Sequence, residues 1–355
     1  MSRPATGPLL ASLPALAISG ALLLVPFALS AWRSVMPAGH IDLAAYRALA
    51  DSVFLAVLGR TLLFAGLVTL GCVVLGVPVA YALLRYRRWA QRLMLGTISL
   101  SFLVGTLIRS YAWLAVLGAR GLINSVLYLL GMAHPLKLAF SFPGMLVASI
   151  QVELPLFILP LYGVMRGIDR RLPRAAQSLG ADPLTAWCTV FLPLALPGIT
   201  VSTALVFLTA LGFFTIPALL GPPDTYLLSQ ELEVRINTLG DEAGASARIV
   251  VMLGLIVLAA ALAGLAYRRL GHGRLGEGAR AAAPVGWRLA LGAAAERLAG
   301  RLARWRWWPV GLYFGVVWAL LALPLAMLLP LAFSNDFYLR FPPRGFSLRW
   351  PLAYL

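Results

Sequence analysis

Apolar residues in this chain come in blocks too long for a soluble core. Near-continuous hydrophobic runs fall at residues 9–31, 61–84, 93–117, 141–164, 194–219 and 249–267, with a seventh inside 307–355 that extends to about residue 333. A helix needs roughly 20 such residues to cross a hydrocarbon layer about 30 Å thick. Each run qualifies, so the pattern predicts an all-α polytopic membrane protein. Proline and glycine mark several segments. Pro155 and Pro160 predict a break in the fourth run, while Gly118, Gly121 and Pro135 predict an irregular loop after the third. The segment 32–60 is mixed, with Asp42, Arg47 and Asp51 along an amphipathic stretch expected at the outer surface.

Composition agrees with this reading. The chain is 61% hydrophobic and 12% charged, against about 25% charged in ordinary soluble domains. Its net charge of +16 would suit nucleic acid, but the positions of the charges argue otherwise. With the first terminus inside, eighteen of the 29 basic residues face the cytoplasm, ten face outward and Arg109 lies in a span. Only four of the 13 acidic residues share the basic side, eight face outward, and Glu153 lies in a span. This asymmetry sets orientation and excludes nucleic acid as a partner; membrane lipid is the expected surrounding. The first run exceeds the ~7–15 residues of a signal-peptide core, so it reads as an uncleaved anchor. Cys72 and Cys188 form no disulfide framework, and His40, His134 and His272 lack metal-ligand spacing.

Between the fourth and fifth runs lies a water-facing segment, RGIDRRLPRAAQSLGADPLTAWCTVFLPLALP, residues 166–197. Pro173 suits a first helical turn, Gly180 a turn, Asp182 a cap and Pro183 the next first turn, with a second piece ending at Leu192 before Pro193. The expected product is a small helix-turn-helix knob, either an interfacial hairpin or a surface for close docking. Arg174, Ala175, Ala176, Gly180, Asp182, Val190, Leu192 and Pro193 carry it.

These residues resemble the coupling loop of ABC importer permeases, E-A-A-x3-G-x9-I-x-L-P, with Arg174 in place of the usual Glu. The run from Phe102 to Trp113, the run from Glu153 to Tyr162, and Pro217 to Gly221 are similar to the spermidine/putrescine-type group. The resemblance implies a six-span type I importer permease unit over 1–270, with cytoplasmic ATPase subunits, a second permease unit and an extracytoplasmic solute-binding protein as partners. It implies location in the bacterial inner membrane and a small solute, most simply polyamine-like, with ferric iron, phosphonate and opine-type solutes as alternatives. The chain has no phosphate-binding loop, so no catalytic residue and no cofactor of its own is expected, and ATP would be used by a partner. A secondary transporter is the rival class; the near absence of intramembrane charges speaks against it.

A repeat adds a further expectation. Val25 to Ser30 matches Leu329 to Ser334 at the ends of the first and seventh runs. Residues 271–306 then read as a basic cytoplasmic linker and 307–355 as the opening of a second permease unit, implying a truncated product, a fragment or one half of a split gene. Finally, Arg109 and Glu153 sit at similar depth, about 8 and 12 residues from the outer ends of their spans, or some 6 Å apart along the normal. Two readings follow: a structural pair joining the third and fourth spans, or a path in which Glu153 receives a cation and Tyr111 and Trp113 supply cation–π walls.

Overall fold

The computed structural model describes residues 6–36, 40–132, 134–271 and 308–334, together with 345 and 347. The expected linker at 271–306, apart from its first residue, and nearly all of the tail after 334 lie outside the described residues. Among those described there is no β-strand. Seven segments of the described residues are long and apolar enough to cross a membrane. The chain is an all-α polytopic membrane protein.

In chain order the helices are α1 (Thr6–Val35), α2 (Ala44–Arg47), α3 (Ser52–Leu83), α4 (Arg88–Leu103), α5 (Thr106–Leu117), α6 (Leu122–Leu129) and α7 (Phe142–Arg166). Then follow α8 (Arg171–Ser178), α9 (Pro183–Ala186), α10 (Leu192–Leu211), α11 (Thr215–Leu220), α12 (Leu228–Val234), α13 (Glu242–Gly271) and α14 (Trp308–Ala332). Contacts divide them into two compact bodies, residues 1–61 with 226–258 and residues 62–225 with 259–355.

In the first body, Phe54 and Val57 of α3 and Leu228 of α12 form a buried cluster, with Leu49, Leu232 and Val251 packed around it. The Thr61 hydroxyl fixes the start of α12 by accepting Leu228 N–H at 3.0 Å. Beside it, one Glu231 oxygen accepts Arg235 Nε at 2.9 Å and Arg248 Nε at 3.0 Å, and Arg235 also meets Asp241 at 2.9 Å. Arg248 is buried and lies 5.1 Å over the Phe54 ring. Ionic partners thus hold arginines that sequence alone leaves as a mixed surface.

The second body is built around α7, the most deeply buried span. Ser141 caps it, its hydroxyl accepting Gly144 N–H at 3.2 Å. Side chains of α7 meet glycines on both sides, Ile150 and Phe157 against Gly71 and Gly76 of α3, and Val164 against Gly198 of α10. Without Cβ atoms these positions let the backbones close up, the usual route to tight packing in a bilayer. The loop before α7 is pinned by Asn124, whose amide donates to Gly118 O and Leu136 O and accepts Leu136 N–H at 2.8 Å. The seventh span, α14, packs on α4 and α5, and its Tyr313 hydroxyl donates to Val74 O and Leu75 O of α3.

Three expectations are corrected. The run at 93–117 is not one helix: Val104 and Gly105 adopt extended ψ values of 124° and 145°, separating α4 from α5. Glycine's weak helix preference places the break there. Conversely, α7 runs unbroken through Pro155 and Pro160. In the turn ahead of Pro155, Arg109 Nη1 donates to Val152 O at 3.1 Å. The third correction is that the helix starting at Pro183 does not stop before Pro193. It passes through a π turn at Trp187–Phe191 into α10, with Leu192 N–H reaching back to Trp187 O. The wider turn accommodates a proline that an α turn would reject.

Candidate functional site

The knob between α7 and α10 is assembled from local chemistry. Helix α8 carries Arg174, Ala175 and Ala176, and none of its residues is buried. It ends where Gly180 takes φ +94°, a left-handed conformation that glycine enters without strain, and Ala181 N–H closes the turn onto Ala176 O at 3.1 Å. Asp182 then starts α9. One carboxylate oxygen accepts Leu184 N–H and Thr185 N–H, both at 2.9 Å, and the other accepts the Thr185 hydroxyl at 2.7 Å. These bonds, the Thr185 N–H foremost, hold the carboxyl below the usual aspartate range.

The knob therefore has two kinds of motif residue. Ala175 is exposed and Ala176 half-buried, with Leu179 90% exposed between α8 and the turn. No other large apolar side chain among the described residues is as exposed. Sequence reading passed over Leu179, although its place between the alanines and Gly180 is the available signal. Val190 and Leu192 are half-buried and Pro193 is buried, so this part of the motif roots the knob in α10.

Replacement of Asp182 by alanine is expected to destabilise the knob by about 1 kcal/mol through loss of the cap. Faster amide exchange confined to residues 183–187 would show it, and unchanged exchange there would exclude the capping role. A depressed carboxyl gives the pH sign. The cap's contribution is full above the ordinary aspartate pKa of about 4 and is lost as pH falls through the lower folded value. The knob should accordingly be intact at pH 5.

The intramembrane charges lie in a buried polar layer crossing α4, α5, α7 and α10. Arg109 and Glu153 are 4% and 5% exposed, yet they form no ion pair among the described residues. Each instead takes a neutral partner. Arg109 serves Val152 O, and Glu153 Oε2 accepts the Thr209 hydroxyl at 2.8 Å. Trp113 is not an open wall: its indole N–H donates to Gln151 Oε1 at 3.0 Å, and Gln151 Nε2 donates to Ser101 Oγ at 3.1 Å. Helical spacing explains the split. Arg109 and Trp113 are four apart on one buried face, while Tyr111, two positions from each, is 44% exposed on the other. Thr209 is exposed, so Glu153 lies one hydroxyl beneath an accessible surface. Gln151 and Thr209 were not singled out in the sequence, since nothing local distinguishes them from other polar residues in spans.

A family model described as binding-protein-dependent transport system inner membrane component matches residues 72–272. The chain belongs to this family. The matched stretch contains the knob, the buried layer and the whole of α4 to α12.

The permease is 30% identical over 217 residues to the spermidine/putrescine transport system permease protein PotB of Escherichia coli (strain K12), covering 60% of this chain and 79% of that one. PotB of Haemophilus influenzae (strain ATCC 51907 / DSM 11121 / KW20 / Rd) is 30% identical over 229 residues, with 64% and 79% covered. Among solved structures, a bacterial ABC transporter involved in import of the acidic polysaccharide alginate aligns with TM-score 0.65 at 17% identity, over 74% of this permease and 96% of that chain. At that identity the likeness is one of fold. This chain is a permease subunit of an ABC importer, a multi-pass inner-membrane protein and not an enzyme.

Proposed function

We propose that this permease conducts a small cationic solute of the polyamine class, with Glu153 as the carboxylate that the cation approaches. The carrying observation is the position of Glu153, a buried carboxylate capped by the exposed Thr209 hydroxyl and not neutralised by an ion pair with Arg109. A cation entering from the Thr209 side exchanges one hydroxyl contact for a charge-assisted one. The likeness to spermidine/putrescine permeases supports the same solute class.

The knob at residues 166–193 is the part that ATPase subunits press on from the cytoplasm. Leu179, Ala175 and Ala176 form the contact, and Arg174 places a positive charge where related loops carry Glu. ATP is bound and hydrolysed by those subunits. A second permease unit completes the conduit and an extracytoplasmic binding protein delivers the solute. Orientation follows the basic residues: the first terminus and the knob are inside, and the segment after α14 is outside.

The test is uptake by the assembled complex, purified from native membranes through this chain and reconstituted with its binding protein in proteoliposomes. Putrescine or spermidine uptake that requires ATP, and exceeds phosphonate and ferric-iron uptake at least tenfold, is the expected result. Uptake of ferric iron, a phosphonate or an opine without polyamine uptake would overturn the solute class. Leu179→Asp is expected to abolish co-purification of the ATPase while this chain remains in the membrane. Retained ATPase would remove the knob from the contact.

A further inference from the structure

Between the end of α3 and the membrane side of the knob lies a cavity of about 360 Å3. Arg85, Arg170 and Arg174 line it, and no carboxylate does. Arg170 Nη2 donates to Leu84 O at 2.9 Å and Arg85 lies 5.3 Å over the Tyr81 ring, contacts that leave further guanidinium donors uncommitted. None of the three arginines forms an ion pair among the described residues. The nearby acids are turned to other work, Asp182 to its cap and Asp169 to Arg171 N–H. The cavity is therefore uniformly cationic.

Its wall adds an independent signal. Tyr81 packs edge-on against Trp187 and Phe191, with ring centroids 5.8 and 4.9 Å apart. Trp187 lines the cavity, and its indole N–H is buried with no acceptor among the described residues. A native fold rarely leaves such a donor unanswered. The π turn sets Trp187 in this place, and turns of that kind often mark functional positions. Aromatic rings, arginines and an unanswered donor stand at the level where the apolar span Ser52–Leu83 ends. That is the depth at which headgroups lie.

We propose that this cavity binds the phosphate of an anionic phospholipid headgroup, which links α3 to the knob at the inner membrane face. The arginines supply charge and fork-shaped donors, and the aromatic wall lies along the glycerol and upper acyl chain. A zwitterionic lipid carries the same phosphate with a compensating ammonium, so net charge is what the site selects. The inference rests on the cytoplasmic placement of the knob given above.

The experiment is native mass spectrometry of the purified complex, delipidated in detergent and titrated separately with phosphatidylglycerol, phosphatidylcholine and inorganic phosphate. Phosphatidylglycerol adducts on this chain are expected at concentrations at least tenfold below those for phosphatidylcholine. The double substitution Arg85→Gln, Arg174→Gln should abolish that preference. Arg92→Gln, on α4, should leave it unchanged. Equal binding of the two lipids, an unaltered preference in the double variant, or displacement of phosphatidylglycerol by millimolar inorganic phosphate would each overturn the proposal. Co-purified ATPase, scored in the same spectra, keeps the two ideas apart. A double variant that loses ATPase but retains the lipid preference shows a protein contact and refutes the lipid site. Loss of lipid preference with ATPase retained supports the lipid site by itself.

Discussion

Gly76→Val is expected to lower the stability of the permease by about 1–3 kcal/mol, at the upper end of overpacking effects, because α3 and α7 touch at this point. A Cβ added at Gly76 would overlap the Phe157 ring, lying 2.9 Å from Cε1 besides a closer approach to Cδ1, with Ile158 only 3.4 Å away. Phe157 and Ile158 are fully buried, so neither has free space to retreat into. Gly66, ten residues earlier on the same helix, has nothing within 4 Å of its Cβ position. Gly66→Ala should be neutral or stabilise by up to about 1 kcal/mol through helix preference. Thermal inactivation midpoints in detergent would show opposite signs for two glycine substitutions in one helix. Combining Gly76→Ala with Phe157→Leu should cost at least about 0.5 kcal/mol less than the two single changes added together. Equal midpoints for the two glycine variants would disprove the close approach.

The second large effect is expected at the buried layer. Glu153→Gln keeps an acceptor for the Thr209 hydroxyl and nearly the same volume, and it removes only the charge. Since Arg109 has its own partner in Val152 O, the variant should assemble and reach the membrane. Cation uptake should nevertheless fall at least tenfold, equivalent to about 1.4 kcal/mol of lost stabilisation for the passing solute. Arg109→Leu should behave differently. It deprives the turn before Pro155 of the donor that Arg109 supplies to Val152 O, so membrane level should drop. Leaving the buried Val152 O without its side-chain donor costs roughly 1–3 kcal/mol. If Glu153→Gln also disappears from the membrane, and Arg109→Leu with Glu153→Gln restores it, the two groups are structural and the path reading fails. Normal uptake by assembled Glu153→Gln would end the path reading equally.

These expectations depend on features of unequal legibility. Hydrophobic run length is a property of a window, so seven spans could be counted from the chain. The knob could be drawn too, because its signals are local: glycine at the left-handed turn, aspartate at the cap, proline just behind it. Arg174, Ala175, Ala176, Gly180 and Asp182 all fall where that local chemistry puts them. Pro193 shows the limit of such signals. A proline that should end a helix is carried through by a π turn upstream, a choice made by how Trp187 and Phe191 pack on Tyr81.

The spans' internal chemistry was less readable. Arg109 and Glu153 stood out as charges, and their similar depth suggested a pair, yet depth says nothing about rotation around each helix axis. Rotation is set by where glycines let helices close, at Gly71, Gly76 and Gly198. Those contacts join residues far apart in the chain and have no local signature. The same register sends Trp113 inward to Gln151 and leaves Tyr111 exposed.

By itself, the sequence determined membrane residence, the number of apolar spans and the local shape of the knob, because hydropathy and capping act over one helix or one turn. Only the tertiary structure decided that the third span is broken, that the fourth survives its prolines, and which polar groups meet in the buried layer. Each of these depends on a donor, ring or void supplied by another helix, and the free energy of such contacts exists only once the helices are packed.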